Sequence, residues 1–233
     1  MADYSDTTVI IPTLNEEGSI GKLLKQLLKM YAGIHIIVAD DGSTDSTIVV
    51  VRRIMARHSR VKFLDRSAEK KHGITASVID ASLIVNTKKI VVMDGDMQHP
   101  PEKVGKLIKA LDQSDIAIGC RTRIRKWGFH RKILSKGITL IAVASFKLRG
   151  KRTTSDMMSG FFGIRTRLLG SIVAGRRSEF VDTGYKVLLD ILRVAGNDVK
   201  ISEVPYSTFH DRTKGRSKFK PRHMVTTLVS ALR

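Results

Sequence analysis

The sequence has little cysteine and little proline: one cysteine, Cys120, and five prolines in 233 residues. A single cysteine cannot form an intramolecular disulfide, so the chain is not a disulfide-stabilised secreted module, and a reducing compartment is expected. Cys120 is predicted to be a structural thiol. A hydrophobic content of 42% excludes a disordered chain, and the length suffices for one large domain or two small ones, with a substantial core.

Long apolar runs are also missing. No stretch approaches the roughly 18 apolar residues of a membrane-spanning helix, and the first residues lack the basic and apolar segments of a signal peptide. We therefore expect a chain that is peripheral to any membrane it contacts. Neither Gly-x-Gly-x-x-Gly after the first strand nor Gly-x-x-x-x-Gly-Lys-Ser/Thr occurs, which disfavours dinucleotide redox chemistry and P-loop hydrolysis.

Acidic residues are scarce beside basic ones: 22 Asp and Glu against 41 Lys and Arg, a net charge of +19. This balance favours an anionic partner, which is nucleic acid, an acidic lipid or a phosphorylated small molecule. A non-catalytic nucleic-acid binder is therefore one hypothesis. No helix-turn-helix, zinc-finger or RNA-binding aromatic signature supports it, so we expect no nucleic acid among the partners.

Apolar runs and helical periodicities alternate along the first half of the chain. Buried strands are predicted at 8–12, 34–39, 61–64 and 90–93, and helices at about 20–28, 46–58, 74–86 and 101–111. Strands that are apolar throughout are typical of a parallel sheet that is buried on both faces. The sequence therefore predicts an α/β fold, a mostly parallel central sheet with helices on both faces.

Polar clusters follow three of the predicted strands, at 15–17, 40–41 and 94–98. In open α/β sheets this edge binds ligands, and three acidic clusters there repel one another unless a cation or ligand donors lie among them. Asp94, Asp96 and the amide of Gln98 suit Mg²⁺ or Mn²⁺ that itself holds phosphates. The alternatives are turns, one in which Asp94 caps the backbone and Asp96 is solvated, and another at 40–41.

The ordered motifs resemble family 2 glycosyltransferases with a GT-A fold. They read Ile-Pro-Thr-Leu-Asn-Glu-Glu at 11–17, Asp-Asp-Gly-Ser at 40–43 and Asp-Gly-Asp-Met-Gln-His-Pro-Pro at 94–101. The third motif is similar to the dolichol-phosphate mannose synthase branch and its polyprenyl-phosphate sugar relatives. Further matches extend the resemblance over most of the chain, at 119–121, 131–137, 156–162, 184–186, 204–206 and 212–218.

The resemblance implies a metal-dependent, inverting transfer of mannose from GDP-mannose to dolichyl or polyprenyl phosphate, with glucose from UDP-glucose as the alternative. It implies catalytic roles for Asp96, Arg121 and Arg131, a metal site of Asp94, Asp96 and Gln98, and a lipid-phosphate site of Arg121, Arg131 and Ser135. It also implies nucleotide-sugar contacts by Pro12, Leu14, Glu16, Ala39, Asp41, Asp94, Gly95, Asp96, Gln98, Arg212, Lys214 and Lys218. Leu14 departs from the aromatic residue that is often found in the first motif.

Cations and apolar residues mix in the second half of the chain. Six cations within 121–132 surround Trp127 and Phe129, which suits a lipid interface, a solvated loop being the alternative. The apolar stretch 138–146, flanked by basic residues, predicts an interfacial helix or, alternatively, a buried core helix. Six alternating cations from 212 to 222 predict a loop that closes over the donor diphosphate or lies on acidic lipid.

We expect a catalytic domain over residues 1–222 and an amphipathic helix over 223–233. The helix is consistent with membrane association, a membrane partner subunit, or a membrane anchor beyond the given chain. The expected location is the cytoplasmic face of a membrane. A third hypothesis, a soluble transferase that makes a polysaccharide or glycoprotein, leaves Trp127 and Phe129 among so many cations unexplained.

Overall fold

The structure, a computed structural model, describes residues 2–122, 143–182 and 186–207. Strands and helices alternate as β1 Thr7–Thr13, α1 Ile20–Met30, β2 His35–Asp40, α2 Thr47–Met55, β3 Val61–Asp65, α3 Ile74–Leu83, β4 Lys89–Val92, α4 Val104–Ala110, β5 Ile116–Arg121, α5 (143–148), β6 Phe162–Arg165, α6 Thr166–Arg176, α7 Val187–Val194 and β7 Ile201–Tyr206. Short 3₁₀ turns, Pro101–Lys103 and Arg177–Glu179, precede α4 and follow α6.

The seven strands form one sheet in the order β3-β2-β1-β4-β6-β5-β7. β1 pairs in parallel with both β2 and β4, β2 with β3, and β5 with β7. β6 runs antiparallel to its neighbours β4 and β5. The predicted α/β fold with a mostly parallel sheet is therefore confirmed. The alternation along the first half of the chain did not reveal β5, β6 or β7.

The strand order reverses at β1. The chain builds β2 and β3 on one side of β1 and then returns to place β4 on its other side. The loops that follow β1, β2 and β4 therefore leave the sheet at the same edge, beside the switch in strand order. This is the position at which open α/β sheets bind ligands.

Two apolar layers hold the helices against the sheet. Successive β1 residues alternate between them: Val9 and Ile11 pack with α1, α2 and α4, whereas Ile10 packs with α3, α6 and α7. Leu24 on α1 is fully buried, and its replacement by alanine is expected to cost about 2–5 kcal/mol, since the transfer and cavity costs add. Helices on both faces are thus confirmed.

The apolar stretch 138–146 is described only from residue 143 onward. There, Phe146 is buried within the core, as the core-helix alternative requires, while Leu148 just beyond it is 89% exposed. Trp127, Phe129 and the predicted helix 223–233 lie outside the described residues. Within the ranges that are described, no helix is long and apolar enough to cross a bilayer.

Candidate active site

Hydrogen bonds join the loop after β1 to the loop after β2. The Asn15 amide oxygen accepts the backbone N–H groups of Thr44 and Asp45, at 2.7 and 3.3 Å. The backbone N–H of Asn15 donates to the Ser43 hydroxyl at 2.7 Å. Asn15 adopts a left-handed conformation, φ 54°, which asparagine tolerates better than most residues. The first two sequence motifs therefore form one rigid rim.

The predicted nucleotide contacts on β1 and β2 lie side by side. Pro12 is paired with Ala39 in the parallel register, and both are buried at the carboxyl ends of their strands. Leu14, one step beyond β1, is 38% exposed and lies on the rim. The structure thus brings these three predicted residues to one end of the sheet.

Asp40 and Asp41 have different roles. Asp40 accepts the N–H groups of Gly42 and Ser43 and the Ser43 hydroxyl, at 3.2, 2.7 and 2.6 Å, so Asp40 forms the turn. Asp41 accepts the Gly73 N–H at 2.8 Å and lies 3.1 Å from His72 Nδ1. The turn interpretation thus holds for Asp40, whereas Asp41 is bound by residues 72 and 73, which precede α3.

A buried arginine fixes Asp41. Arg66 is 1% exposed, and its guanidinium forms ion pairs with Asp41 and Asp80. It also donates to the Ser77 hydroxyl at 3.0 Å and the Lys71 carbonyl at 2.7 Å. The sequence analysis did not identify Arg66, because nothing in the local pattern couples it to a carboxylate 25 residues away. Its burial and ion pairs make the carboxylate of Asp41 a rigid feature of the site.

The loop after β4 packs directly against the first motif. A Cβ atom at Gly95 would lie 2.9 Å from the Thr13 methyl carbon and 3.5 Å from Cγ of Glu16. Only glycine allows this approach without displacement of Thr13. The predicted donor-site residues Glu16 and Gly95 therefore lie side by side, and the loop after β4 is fixed beside the loop after β1.

Within this loop, the two predicted carboxylates differ in exposure. Asp96 is 5% exposed and accepts the Gln98 N–H at 3.0 Å, across Met97 in the left-handed region (φ 63°). The Asp94 side chain is 34% exposed. The turn alternative had these roles reversed, since it is Asp96 that caps the turn and Asp94 that is more open to solvent.

His99 holds the backbone of Asp94 in place. Its Nδ1 accepts the Asp94 backbone N–H at 3.1 Å, which assigns the ring proton to Nε2, 3.7 Å from the Asp94 carboxylate. The ring stacks on Phe161, with centroids 5.2 Å apart. Burial lowers the pKa of His99 to about 4, against the charge of Asp96, so the imidazole is neutral at physiological pH. The sequence analysis assigned no role to His99.

Arg121, the last residue of β5, forms an ion pair with an aspartate that the sequence analysis did not predict as a site residue. Its Nε and Nη2 donate to the two carboxylate oxygens of Asp156, at 2.7 and 2.8 Å. Burial alone would lower the pKa of Arg121, but the hydrogen bonds and charge of Asp156 hold that pKa above its ordinary value. The signal was present, because Asp156 opens the matched segment 156–162.

A glycine brings the Arg121–Asp156 pair to the carboxylate loop. A Cβ atom at Gly160 would lie 3.3 and 3.4 Å from the carboxylate oxygens of Asp94. The segment that begins at Asp156 therefore runs against Asp94. A cationic group and a carboxylate pair meet at one edge of the sheet, which is an arrangement suited to two phosphate groups and a metal ion.

The loop after β4 carries the oxygen donors that a divalent cation would need. In the part of the chain that the structure describes, no three His, Cys, Asp or Glu side chains cluster closely enough to hold an ion by themselves. Asp94 and Asp96, on one short loop with the half-buried Gln98, offer two carboxylates and an amide. Mg²⁺ is commonly held in this way, by one or two carboxylates with substrate phosphates and water completing the shell. The residues therefore fit such an ion.

Five predicted site residues lie outside the described residues: Arg131, Ser135, Arg212, Lys214 and Lys218. Their assigned roles at the lipid phosphate and over the donor remain predictions. Cys120 is described; it is buried, and burial raises the pKa of its thiol to about 11, as suits a structural thiol.

Comparisons with known proteins agree with the geometry. The profile described as "Glycosyl transferase family 2" matches residues 8–173. The chain is 36% identical to a dolichol-phosphate mannosyltransferase of Pyrococcus furiosus, over 91% of this chain and 59% of that protein. It is 32% identical to the polyprenol monophosphomannose synthase of Mycolicibacterium smegmatis, over 91% of this chain and 80% of that protein. The chain thus spans less than two thirds of the first of these relatives.

Solved structures share the architecture. Glucosyl-3-phosphoglycerate synthase from Mycobacterium tuberculosis, in complex with Mn²⁺, UDP-glucose and glycerol 3-phosphate, has a TM-score of 0.69 at 18% identity, over 97% of this chain and 79% of that chain. Mannosyl-3-phosphoglycerate synthase from Rubrobacter xylanophilus has a TM-score of 0.68 at 13% identity, over 97% and 72% of the two chains. At such identities the likeness establishes the fold alone, and it confirms the predicted GT-A architecture.

Proposed function

The chain belongs to glycosyl transferase family 2, and on that premise we propose that it transfers mannose from GDP-mannose to dolichyl or another polyprenyl phosphate. The names of the two curated relatives support mannose transfer and the lipid phosphate as acceptor. The observation that carries the proposal is that Asp94, on the loop it shares with Asp96, lies against the segment that begins at Asp156, the partner of Arg121.

The donor half of the site is built on the loops after β1, β2 and β4. Asp94, Asp96 and Gln98 would hold Mg²⁺ or Mn²⁺, and Mn²⁺ in the solved neighbour supports a divalent ion. When bound, the ion neutralises charge on the diphosphate leaving group. Pro12, Ala39 and Asp41 line the nucleotide end, and the rigid position of Asp41 suits a hydrogen bond to the base. Leu14, Glu16 and Gly95 complete this half, and Arg212, Lys214 and Lys218 are proposed to close over the diphosphate.

The acceptor half contains Arg121, with Arg131 and Ser135 proposed beside it. A phosphate monoester is mostly a dianion at neutral pH, because its second pKa is near 6. One of its oxygens attacks the anomeric carbon as the bond from that carbon to the diphosphate breaks, so GDP leaves and the anomeric centre inverts. The dianion needs alignment and charge neutralisation more than a general base, and Arg121 supplies both.

A lipid acceptor places the enzyme at a membrane surface. The net charge of +19 supports contact with anionic headgroups. We propose peripheral binding at the cytoplasmic face, where nucleotide sugars are available, with residues 1–222 as the catalytic domain and 223–233 as an amphipathic helix. That helix is also a candidate contact for a membrane partner subunit.

Transfer from radiolabelled GDP-mannose or UDP-glucose to dolichyl phosphate in detergent tests the proposal, with Mn²⁺, Mg²⁺ or EDTA. The expected result is lipid labelling from GDP-mannose that requires a divalent ion. Labelling from UDP-glucose alone would change the assigned donor, both its sugar and its base, but would still support sugar transfer to a lipid phosphate. A folded protein that labels no lipid from either donor would contradict the proposal, and labelling of a sugar acceptor instead would favour a soluble transferase.

A further inference from the structure

A buried tyrosine beneath the site has an unsatisfied hydroxyl group. Tyr206 is 2% exposed, and its hydroxyl has no hydrogen-bond partner among the residues described. Leaving a buried hydroxyl unpaired costs about 1–3 kcal/mol. Tyr31, equally buried, shows the usual solution: its hydroxyl donates to the Pro101 carbonyl at 2.8 Å and accepts the Gly105 N–H at 3.1 Å. The unsatisfied hydroxyl of Tyr206 therefore needs an explanation.

Tyr206 is held directly beside Arg121. It is the last residue of β7, and the parallel register pairs it with Arg121 at the end of β5. Thr122 anchors its backbone, since both the N–H and the hydroxyl of Thr122 donate to the Tyr206 carbonyl, at 3.0 and 3.1 Å. Its ring meets Phe161 edge-on, with centroids 5.8 Å apart. The side chain therefore sits in a fixed position under the acceptor half of the site.

Burial, with two nearby carboxylates, keeps the Tyr206 hydroxyl protonated. Burial raises the pKa of Tyr206; Arg121 opposes the change, whereas the carboxylates of Asp156 and Asp94 add to it. The phenol is therefore a hydrogen-bond donor at any working pH and not a base. It lies within electrostatic range of Asp156, yet in this structure Arg121 occupies both oxygens of that carboxylate.

The Nε and Nη2 groups of Arg121 cannot bind the Asp156 carboxylate and a phosphate in the same bidentate way at the same time. To grip a phosphate through Nε and Nη2, it must release at least one oxygen of Asp156. Asp156 is 12% exposed, and a carboxylate left unpaired at that depth is strongly unfavourable. A second donor is required at the moment of binding, and a neutral donor suits this role, because another cation would compete with Arg121 for Asp156 in the free protein.

We propose that Tyr206 is a positioning residue whose hydroxyl takes over the carboxylate of Asp156 when Arg121 turns to the acceptor phosphate. The inference rests on the proposed function, because it assigns Arg121 to that phosphate. It explains why the hydroxyl is unpaired in the free protein, since its partner becomes available only with substrate.

The test compares Tyr206→Phe with the matched control Tyr31→Phe, by urea unfolding and by transfer kinetics. Tyr206→Phe leaves the free protein as stable as the wild type or more stable, because no bond is lost. It raises KM for dolichyl phosphate roughly 10- to 100-fold, as expected for one hydrogen bond to a charged group, and leaves KM for GDP-mannose unchanged. Tyr31→Phe has the opposite signature, a loss of stability with both KM values unchanged.

The Asp156→Ala background shows whether the hydroxyl acts through Asp156, because alanine offers the hydroxyl no acceptor. There, adding Tyr206→Phe is expected to change KM for dolichyl phosphate less than two-fold; a full effect would mean that the hydroxyl contacts the phosphate directly and would overturn the proposal. Tyr206→Phe that loses stability and keeps its KM would also overturn it, since a buried water would then satisfy the hydroxyl. A wild type without transfer would defeat the proposed function itself, whereas an active wild type with normal Tyr206→Phe kinetics would defeat this inference alone.

Discussion

Replacing Arg66 by methionine is expected to destabilise the fold and to weaken nucleotide binding together. The buried guanidinium forms ion pairs with Asp41 and Asp80 and donates to Ser77 and Lys71. Methionine fills much of the volume but supplies no donor. The Asp41 carboxylate, 11% exposed, would then lose its buried cation.

The size of the loss follows from the burial of each partner. Removing one member of a buried ion pair costs about 3–5 kcal/mol, because the other charge stays buried and unpaired. Asp80 is 33% exposed, so water can solvate it and its pair adds little. We therefore expect the free energy of unfolding to fall by about 3 kcal/mol, a large part of the roughly 5–15 kcal/mol that stabilises a typical domain.

Urea unfolding followed by circular dichroism measures the loss. The control is Arg176→Met. It removes an ion pair of 3.3 Å with Glu179, whose two side chains are 53% and 39% exposed, and a hydrogen bond of 3.2 Å to the Val194 carbonyl, and is expected to cost about 1 kcal/mol. Calorimetric titration with GDP should show an affinity about ten-fold lower for Arg66→Met, about 1.4 kcal/mol. Stability and GDP affinity equal to those of the wild type would refute the role given to Arg66.

Three further predictions concern the loops at the same edge. Asp156→Asn should lower kcat/KM for dolichyl phosphate about ten-fold in steady-state assays, because the charge that orients Arg121 is lost; unchanged kinetics would contradict this. Gly95→Ala should cost about 1–3 kcal/mol by overpacking against Thr13, and a thermal melt that matches the wild type would show that the loop yields freely. In EDTA, the free energy of unfolding should fall by about 3 kcal/mol between pH 6.5 and 4, because His99 is protonated in the unfolded chain and stays neutral in the folded chain. A His99→Gln variant should lack this pH-dependent loss, and an equal pH dependence in both proteins would contradict the prediction.

The fold and the ligand-binding edge could be predicted because their signals are local. Continuous apolar runs indicated buried parallel strands, and those strands place the polar clusters at 15–17, 40–41 and 94–98 together at one edge. The position of Gly95 beside Thr13 and Glu16 shows that two of these loops do lie together. β5, β6 and β7 were missed because they lie beyond residue 111, where no alternation of strands and helices was recognised.

The supports of the site could not be predicted because their signals are long-range. Arg66 reaches Asp41 across 25 residues, and Arg121 reaches Asp156 across 35. The order of strands in the sheet brings the partners of each pair together. The residues around either partner do not reveal that order. The neutral state of His99 likewise follows from burial against Phe161, a contact that exists only in the folded chain.

Transfer of radiolabelled mannose by an Asp96→Ala variant tests the central claim most directly. Asp96 is one of the two carboxylates proposed to hold the metal and the donor diphosphate, and it also caps the turn through the Gln98 N–H. The variant should keep a cooperative unfolding transition, should label no dolichyl phosphate, and should not be rescued by excess Mn²⁺. Full transfer activity in a folded Asp96→Ala protein would contradict the account.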